Sequence, residues 1–188
     1  GLAYAVLFYL TILLHEASHA LMARRFGISV SWIMLHFLGG QTDIDSEPAS
    51  AGQEFKIAVV GPLTSIVVGL AALAATRVTG EAVLDLAVWG VAVANLVLGV
   101  LNLVPGLPLD GGRVLRAGVW QVSGDPHKGT VVAAWGGRVA AVLVLLWPVV
   151  LRYGYDVSPG LTNYLFTFIA ALFLWQGASM SLMSAKVR

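Results

Sequence analysis

The sequence predicts an all-α polytopic membrane protein, with about five transmembrane helices and a small β hairpin at membrane level after the first. Three observations carry that prediction. Over 188 residues the chain is 58% hydrophobic and 11% charged, with a mean hydropathy of +0.84, which is too apolar for a soluble domain of this length. Its apolar residues gather into runs of about 20 or more, the length a helix needs to cross about 30 Å of hydrocarbon. Inside the first run stand His15, Glu16 and His19, at a depth where polar groups are expensive and usually functional. Net charge is +1, so no basic excess suggests nucleic acid and there is no acidic tail. Cysteine is absent. That removes disulfides, thiolate metal sites and a cysteine nucleophile together, and leaves His, Asp and Glu as zinc ligands.

The first span runs over residues 2–23 and is closed by Arg24 and Arg25, which read as cytoplasmic. At 1.5 Å per residue, His19 and His15 lie roughly 8 and 13 Å from Arg24 along the axis. The polar set is therefore expected below the membrane surface, toward the cytoplasmic side. Gly27 ends the helix. The β-branched and aromatic stretch Ile28–Phe37, then Gly39-Gly40 and Gln41–Ile44, predicts a β region over 28–44. Such a hairpin must rest on protein or line a wet cavity, and its free edge can pair with an extended segment. Asp43–Gln53 reads as a polar loop.

The second span, 54–76, carries Gly61, Ser65 and Gly69 at i, i+4 and i+8, small residues that admit a neighbouring helix. Pro62 predicts a local kink. Gly61 and Pro62 are read as structural. Residues 77–81 form a short loop with no room for an inserted domain. The third span, 82–104, is interrupted by Val104-Pro105-Gly106-Leu107-Pro108, and a broken-helix segment continues over 105–122. Two further spans cover 131–151 and 162–183. Alternation then places Arg24, Arg25, Lys56, Arg113, Arg116, Lys128, Lys186 and Arg188 on the cytoplasmic side, with Arg77 and Arg152 opposite, a bias that supports five spans. The whole of 1–188 reads as one domain. Its abrupt start at Gly1, already in an apolar run, predicts a fragment of a longer protein.

His15-Glu16-Ala17-Ser18-His19 has the H-E-x-x-H spacing. On a helix, i and i+4 share a face, so His15 and His19 present two imidazoles to one metal ion and Glu16 stands beside its open position. This is the pattern of two zinc ligands with a general base, the ion lowering the pKa of water to about 7. Two histidines leave a catalytic zinc site one protein ligand short. Asp110, at the helix break, would by itself read as an N-cap; ligand counting makes a carboxylate from that second helix the missing partner. The count is then complete without His36, and His127 reads as a solvated loop residue. Asn95 reads as an interhelical hydrogen-bonding residue, and tryptophans such as Trp32, Trp120 and Trp147 as interface anchors and packing.

HEASH in one span, GQEFKIAVVGPLTS leading the next and NLVPGLPLDGGR at a broken third together resemble the site-2 protease family of intramembrane zinc metalloproteases. The motifs cover Leu14–Arg113. The short 77–81 loop and the SEPASAGQEF approach resemble the subgroup that carries a CBS-domain pair after its last helix. The resemblance implies one Zn2+ per chain held by His15, His19 and Asp110, with Glu16 as catalytic base. It adds Asn102, matching the Asn of the family's N-x-x-P-x-x-x-x-D-G stretch, as a residue that binds substrate or stabilises the oxyanion; an interhelical hydrogen bond is its structural alternative.

The expected activity is hydrolysis of a peptide bond in or next to a transmembrane segment of a single-span membrane protein, such as an anti-sigma factor-like regulator. That is regulated intramembrane proteolysis, a signalling role, in the cell membrane and in contact with the lipid bilayer. The scissile segment must be extended first, because a helical carbonyl is already hydrogen-bonded and covered by side chains. A metal-binding transporter or channel is the alternative, weakened by the lack of an internal repeat. A catalytically silent binding module would be expected to have lost part of the ligand and base set, which is intact.

Overall fold

The computed structural model describes residues 2–36, 39–76, 82–156 and 158–186. It contains six helices and one two-stranded sheet among these residues. Five helices are long and apolar enough to cross a membrane, so the chain is a multi-pass membrane protein. The predicted loop over 77–81 lies outside the described residues. Two compact units divide the chain, Gly1–Leu103 and Val104–Arg188.

The first unit holds α1 (Leu2–Arg25), β1 (Val30–His36), β2 (Gly39–Ile44), α2 (Ala51–Ala75) and α3 (Ala82–Asn102). Helix α1 stops where the sequence predicts. Gly27 adopts a left-handed conformation with φ of 75°; its N–H donates to Arg24 O, and that of Ile28 to Ala23 O. This is a Schellman closure, and its apolar contact is the buried cluster of Ala23, Ile28 and Ile57. Arg24 and Arg25 in the last turn complement the helix dipole. Strands β1 and β2 pair antiparallel, with Ile33 opposite Thr42 and Leu35 opposite Gly40.

Helix α2 begins three residues before the predicted boundary. Ser50 caps it by accepting from the N–H of Gln53 at 3.3 Å, while Gln53 Oε1 accepts from Ala49 N–H at 2.9 Å. Ala51, Gly52 and Gln53 are therefore helical, not loop, because these polar side chains satisfy the orphan donors of a helix start. The small-residue face packs as expected. A Cβ on Gly69 would stand 2.7 Å from Leu96 Cγ of α3, and one on Gly99 of α3 would stand 2.9 Å from Pro62 O, so glycines on both helices permit the close approach.

The second unit holds α4 (Asp110–Ser123), α5 (Pro126–Gly154) and α6 (Leu161–Lys186). The predicted break is present: α3 ends at Asn102, two residues early, and α4 starts at Asp110. The connecting segment is held against α5 by the Leu107 N–H to Ala133 O bond of 3.0 Å. It approaches so closely that a Cβ on Gly106 would lie 2.5 Å from the Gly137 nitrogen. That is the structural use of the glycine pair Gly136-Gly137. Helix α5 starts five residues before its predicted boundary, with Asp125 accepting from His127 N–H at 2.8 Å and Pro126 in the first turn. His127 is thus exposed as expected, yet helical and not in a loop.

Candidate active site

His15 and His19 leave the same face of α1, one turn apart. Both are almost fully buried, at 4% and 3% exposure. Their ring centroids lie 4.9 Å apart and their Nε2 atoms 3.2 Å apart. The other ring nitrogens are occupied. His19 Nδ1–H donates to the Ile57 carbonyl at 2.6 Å; since a carbonyl oxygen only accepts, His19 keeps its proton on Nδ1 and presents a lone pair at Nε2. Ser65 Oγ lies 2.9 Å from His15 Nδ1 and can accept from it in the same way. Both Nε2 atoms are then lone-pair donors aimed into one space.

That spacing fits zinc. Two Zn–N bonds of about 2.05 Å at a tetrahedral angle hold their nitrogens about 3.3 Å apart, close to the observed separation of 3.2 Å. Without a cation between them, two lone pairs at this distance repel. The space is kept open by Gly61 of α2. A Cβ there would stand 2.8 Å from His15 Nε2 and closer still to His19 Nε2.

One face of α2 therefore serves both histidines. Ile57, Gly61 and Ser65, at i, i+4 and i+8, supply a carbonyl acceptor, an opening and a hydroxyl. Such outer partners fix tautomer and ring orientation. The i, i+4 spacing of Gly61 and Ser65 predicts helix packing alone, because nothing local in the sequence shows that the histidines of another helix stand opposite.

Glu16 is buried, at 7% exposure, next to β2. The Thr42 hydroxyl donates to Glu16 Oε2 at 2.7 Å and lies 3.2 Å from the Glu16 carbonyl oxygen. A Cβ on Gly40 would come within 2.6 Å of Oε1. Residues 40 and 42 share a strand face, so β2 offers the carboxylate one hydrogen-bond donor and one gap. Neither Thr42 nor Gly40 was legible as a site residue, because strand-to-helix contact leaves no local mark in sequence.

Asn102 is the last residue of α3, and its Nδ2 donates to Leu98 O at 3.1 Å. This bond lies within the helix, where an amide at the final turn finds the i−4 carbonyl close by. Asn95 does bond between helices, donating to Thr11 Oγ1 of α1 at 3.0 Å as well as to Val91 O. Asp110, in the second unit, is half-buried and the first residue of α4. The N-cap is Leu109, which makes no side-chain cap bond. Asp110 therefore lies one position inside the cap expected from sequence, in the first turn where a carboxylate suits the dipole. The side chain of His36 lies outside the described residues. Trp32 and Trp147 are exposed and Trp120 is half-buried, as anchors and packing residues would be.

Five membrane-length helices, and on the first a buried His, Glu, His set whose two imidazoles could hold a metal ion, describe a polytopic membrane protein. The model of peptidase family M50 matches residues 3–81 and 77–146, and the chain belongs to that family, the site-2 protease family its motifs resemble. It is 38% identical over 149 residues to Rip3 of Mycobacterium tuberculosis, covering 77% of this chain and 38% of that protein. A zinc metalloprotease of Methanocaldococcus jannaschii is 32% identical over 147 residues, covering 76% of this chain and 41% of that protein. The solved structure of the site-2 protease from the same organism superposes with a TM-score of 0.70 at 28% identity, over 94% of this chain and 76% of that one. The chain spans about two fifths of the length of those two curated relatives.

Proposed function

We propose that this chain is the membrane core of a zinc-dependent intramembrane protease that hydrolyses a peptide bond in or next to a transmembrane segment of a membrane-anchored regulatory protein. The observation that carries the reading is the facing Nε2 pair of His15 and His19, 3.2 Å apart with both Nδ1 atoms engaged, beside a buried Glu16. His15 and His19 hold zinc, and Asp110 is the third protein ligand, supported by ligand counting and by the family motif. When bound, zinc supplies a Lewis acid that polarises the scissile carbonyl and makes water acidic near neutral pH.

The remaining work falls to the chain. Glu16 takes the proton of the attacking water and passes it to the leaving nitrogen. Thr42 holds one carboxylate oxygen of Glu16 and so sets its orientation. Asn102 carries two amide hydrogens, one used on Leu98 O, and offers the other to the developing oxyanion. The β1–β2 hairpin, at membrane level, pairs with the substrate and keeps the scissile segment extended. The site lies toward the cytoplasmic face of the cell membrane, as Arg24 and Arg25 after α1 support. The two units act as one protease domain, of the subgroup with a CBS-domain pair.

The test is zinc stoichiometry and cleavage of a panel of single-span membrane proteins by the purified protein and by Glu16→Gln. One zinc per chain in both, with cleavage reduced at least about 100-fold in the variant, is expected. An active Gln variant removes Glu16 as base. Zinc movement across a vesicle membrane without cleavage would establish a transporter instead.

A further inference from the structure

The second unit carries a cation that neither the metal site nor hydrolysis uses. Arg138 lies within α5, one of the membrane-length helices. Its guanidinium stands over two indole rings, 4.9 Å from the Trp135 ring and 5.0 Å from the Trp175 ring of α6. Nη2 donates to Ser179 Oγ of α6 at 3.3 Å. Nε is buried and has no acceptor. These neutral partners leave the positive charge uncompensated among the described residues, at a depth where an arginine ordinarily pairs or marks a site. Trp135 and Trp175 are 55% and 44% exposed, so the cluster faces outward and not into a packed core.

Directly along the helices from this cluster runs an apolar groove between α5 and α6. Its volume is about 210 Å³, and its walls include Ala141, Val142 and Leu145 of α5 and Phe168, Ala171 and Leu172 of α6, with Trp175 at its Arg138 end. Residues 141, 142 and 145 lie one and two turns beyond Arg138 on the same face of α5. On α6, which runs alongside α5, Ser179, Trp175, Ala171 and Phe168 descend in the same order. By helical rise, Ser179 lies about 10 Å from the end of α6 at Lys186, within reach of headgroup depth for a long side chain that snorkels. A cation toward the Lys186 end of α6 with an apolar groove running away from it matches one occupant, an anionic phospholipid.

We infer that Arg138, held by the two tryptophans and Ser179, binds the phosphate of an anionic phospholipid whose acyl chain lies in the α5–α6 groove. The charge selects the lipid, since basic pockets between transmembrane helices recognise anionic headgroups, and the indoles hold the guanidinium in place. The apolar walls distinguish a lipid from a free phosphate ion, which has nothing to place there. This inference concerns a surface of α5 and α6 and does not depend on the chemistry at His15.

The purified protein is exchanged into detergent containing equal phosphatidylglycerol and phosphatidylcholine, and retained lipid is counted by native mass spectrometry. The wild type is expected to retain phosphatidylglycerol about five-fold more than phosphatidylcholine, the factor one cationic contact gives at a membrane surface. Arg138→Gln should bring the ratio to about one, and Arg138→Lys should keep most of it. Val142→Phe, at an exposed groove position, should lower retention of both lipids and leave the ratio intact, and it reads the site even if Arg138→Gln does not fold. Millimolar inorganic phosphate should not displace the lipid. No preference in the wild type, an unchanged ratio in Arg138→Gln, unaltered retention in Val142→Phe, or displacement by phosphate would each overturn the inference.

Discussion

Gly61→Ala sets local and tertiary physics against each other. In a helix interior, alanine is favoured over glycine by about 1 kcal/mol, so α2 taken alone predicts a more stable protein. The structure predicts loss of the metal. The new Cβ would stand 2.8 Å from His15 Nε2, about 0.6 Å inside ordinary contact, and would sit still deeper against His19 Nε2. Neither ring can retreat freely, because His19 is tied to Ile57 O and His15 to Ser65. Breaking one such outer contact lowers metal affinity about 10- to 100-fold, and the methyl group also fills the space in front of the nitrogens. Zinc affinity should fall at least about 100-fold, measured by competition with chelators of graded strength on the purified protein. A thermal unfolding scan of the zinc-free form should show no stabilisation, because an overpacking cost of about 1–3 kcal/mol offsets the helix-propensity gain of about 1 kcal/mol. Wild-type zinc affinity in Gly61→Ala would refute the placement of this glycine in the metal site.

Ser65→Ala should lower zinc affinity about 10- to 100-fold through the freed His15 ring, and unchanged chelator competition would show that the Ser65 bond to His15 Nδ1 is incidental. With Thr42→Val, zinc content should stay at wild type while cleavage slows about ten-fold; Thr42→Ser, which keeps the hydroxyl near Glu16 Oε2, should restore most of the rate, and equal rates in both would remove the positioning role. Asp110→Ala should reduce zinc affinity sharply if it is the third ligand. Full zinc occupancy in that variant would leave Asp110 with only its first-turn position in α4.

Much of this protein was legible from sequence because the signals are local. Composition and run length set the membrane spans, since hydrocarbon thickness fixes how many apolar residues a helix needs. Gly27 closed α1, and the prolines at 105 and 108 broke the chain between α3 and α4, because φ and N–H constraints act within a few residues. The pairing of His15 with His19 followed from i, i+4 geometry alone. Boundaries were less readable where polar side chains cap: Ser50 and Asp125 started α2 and α5 earlier than hydrophobicity indicated.

What only the tertiary structure decided is what surrounds those histidines. Ile57 O lies 38 residues from His19, and Ser65 lies 50 from His15. Thr42 reaches Glu16 across 26 residues. No periodicity encodes such contacts, because they depend on which faces two elements turn toward each other once packed. Gly61 shows the difference most plainly. Sequence gave it a packing role from its neighbours at i+4 and i+8, and that role follows from size alone; that its missing side chain is the space in front of two imidazole nitrogens required the position of another helix.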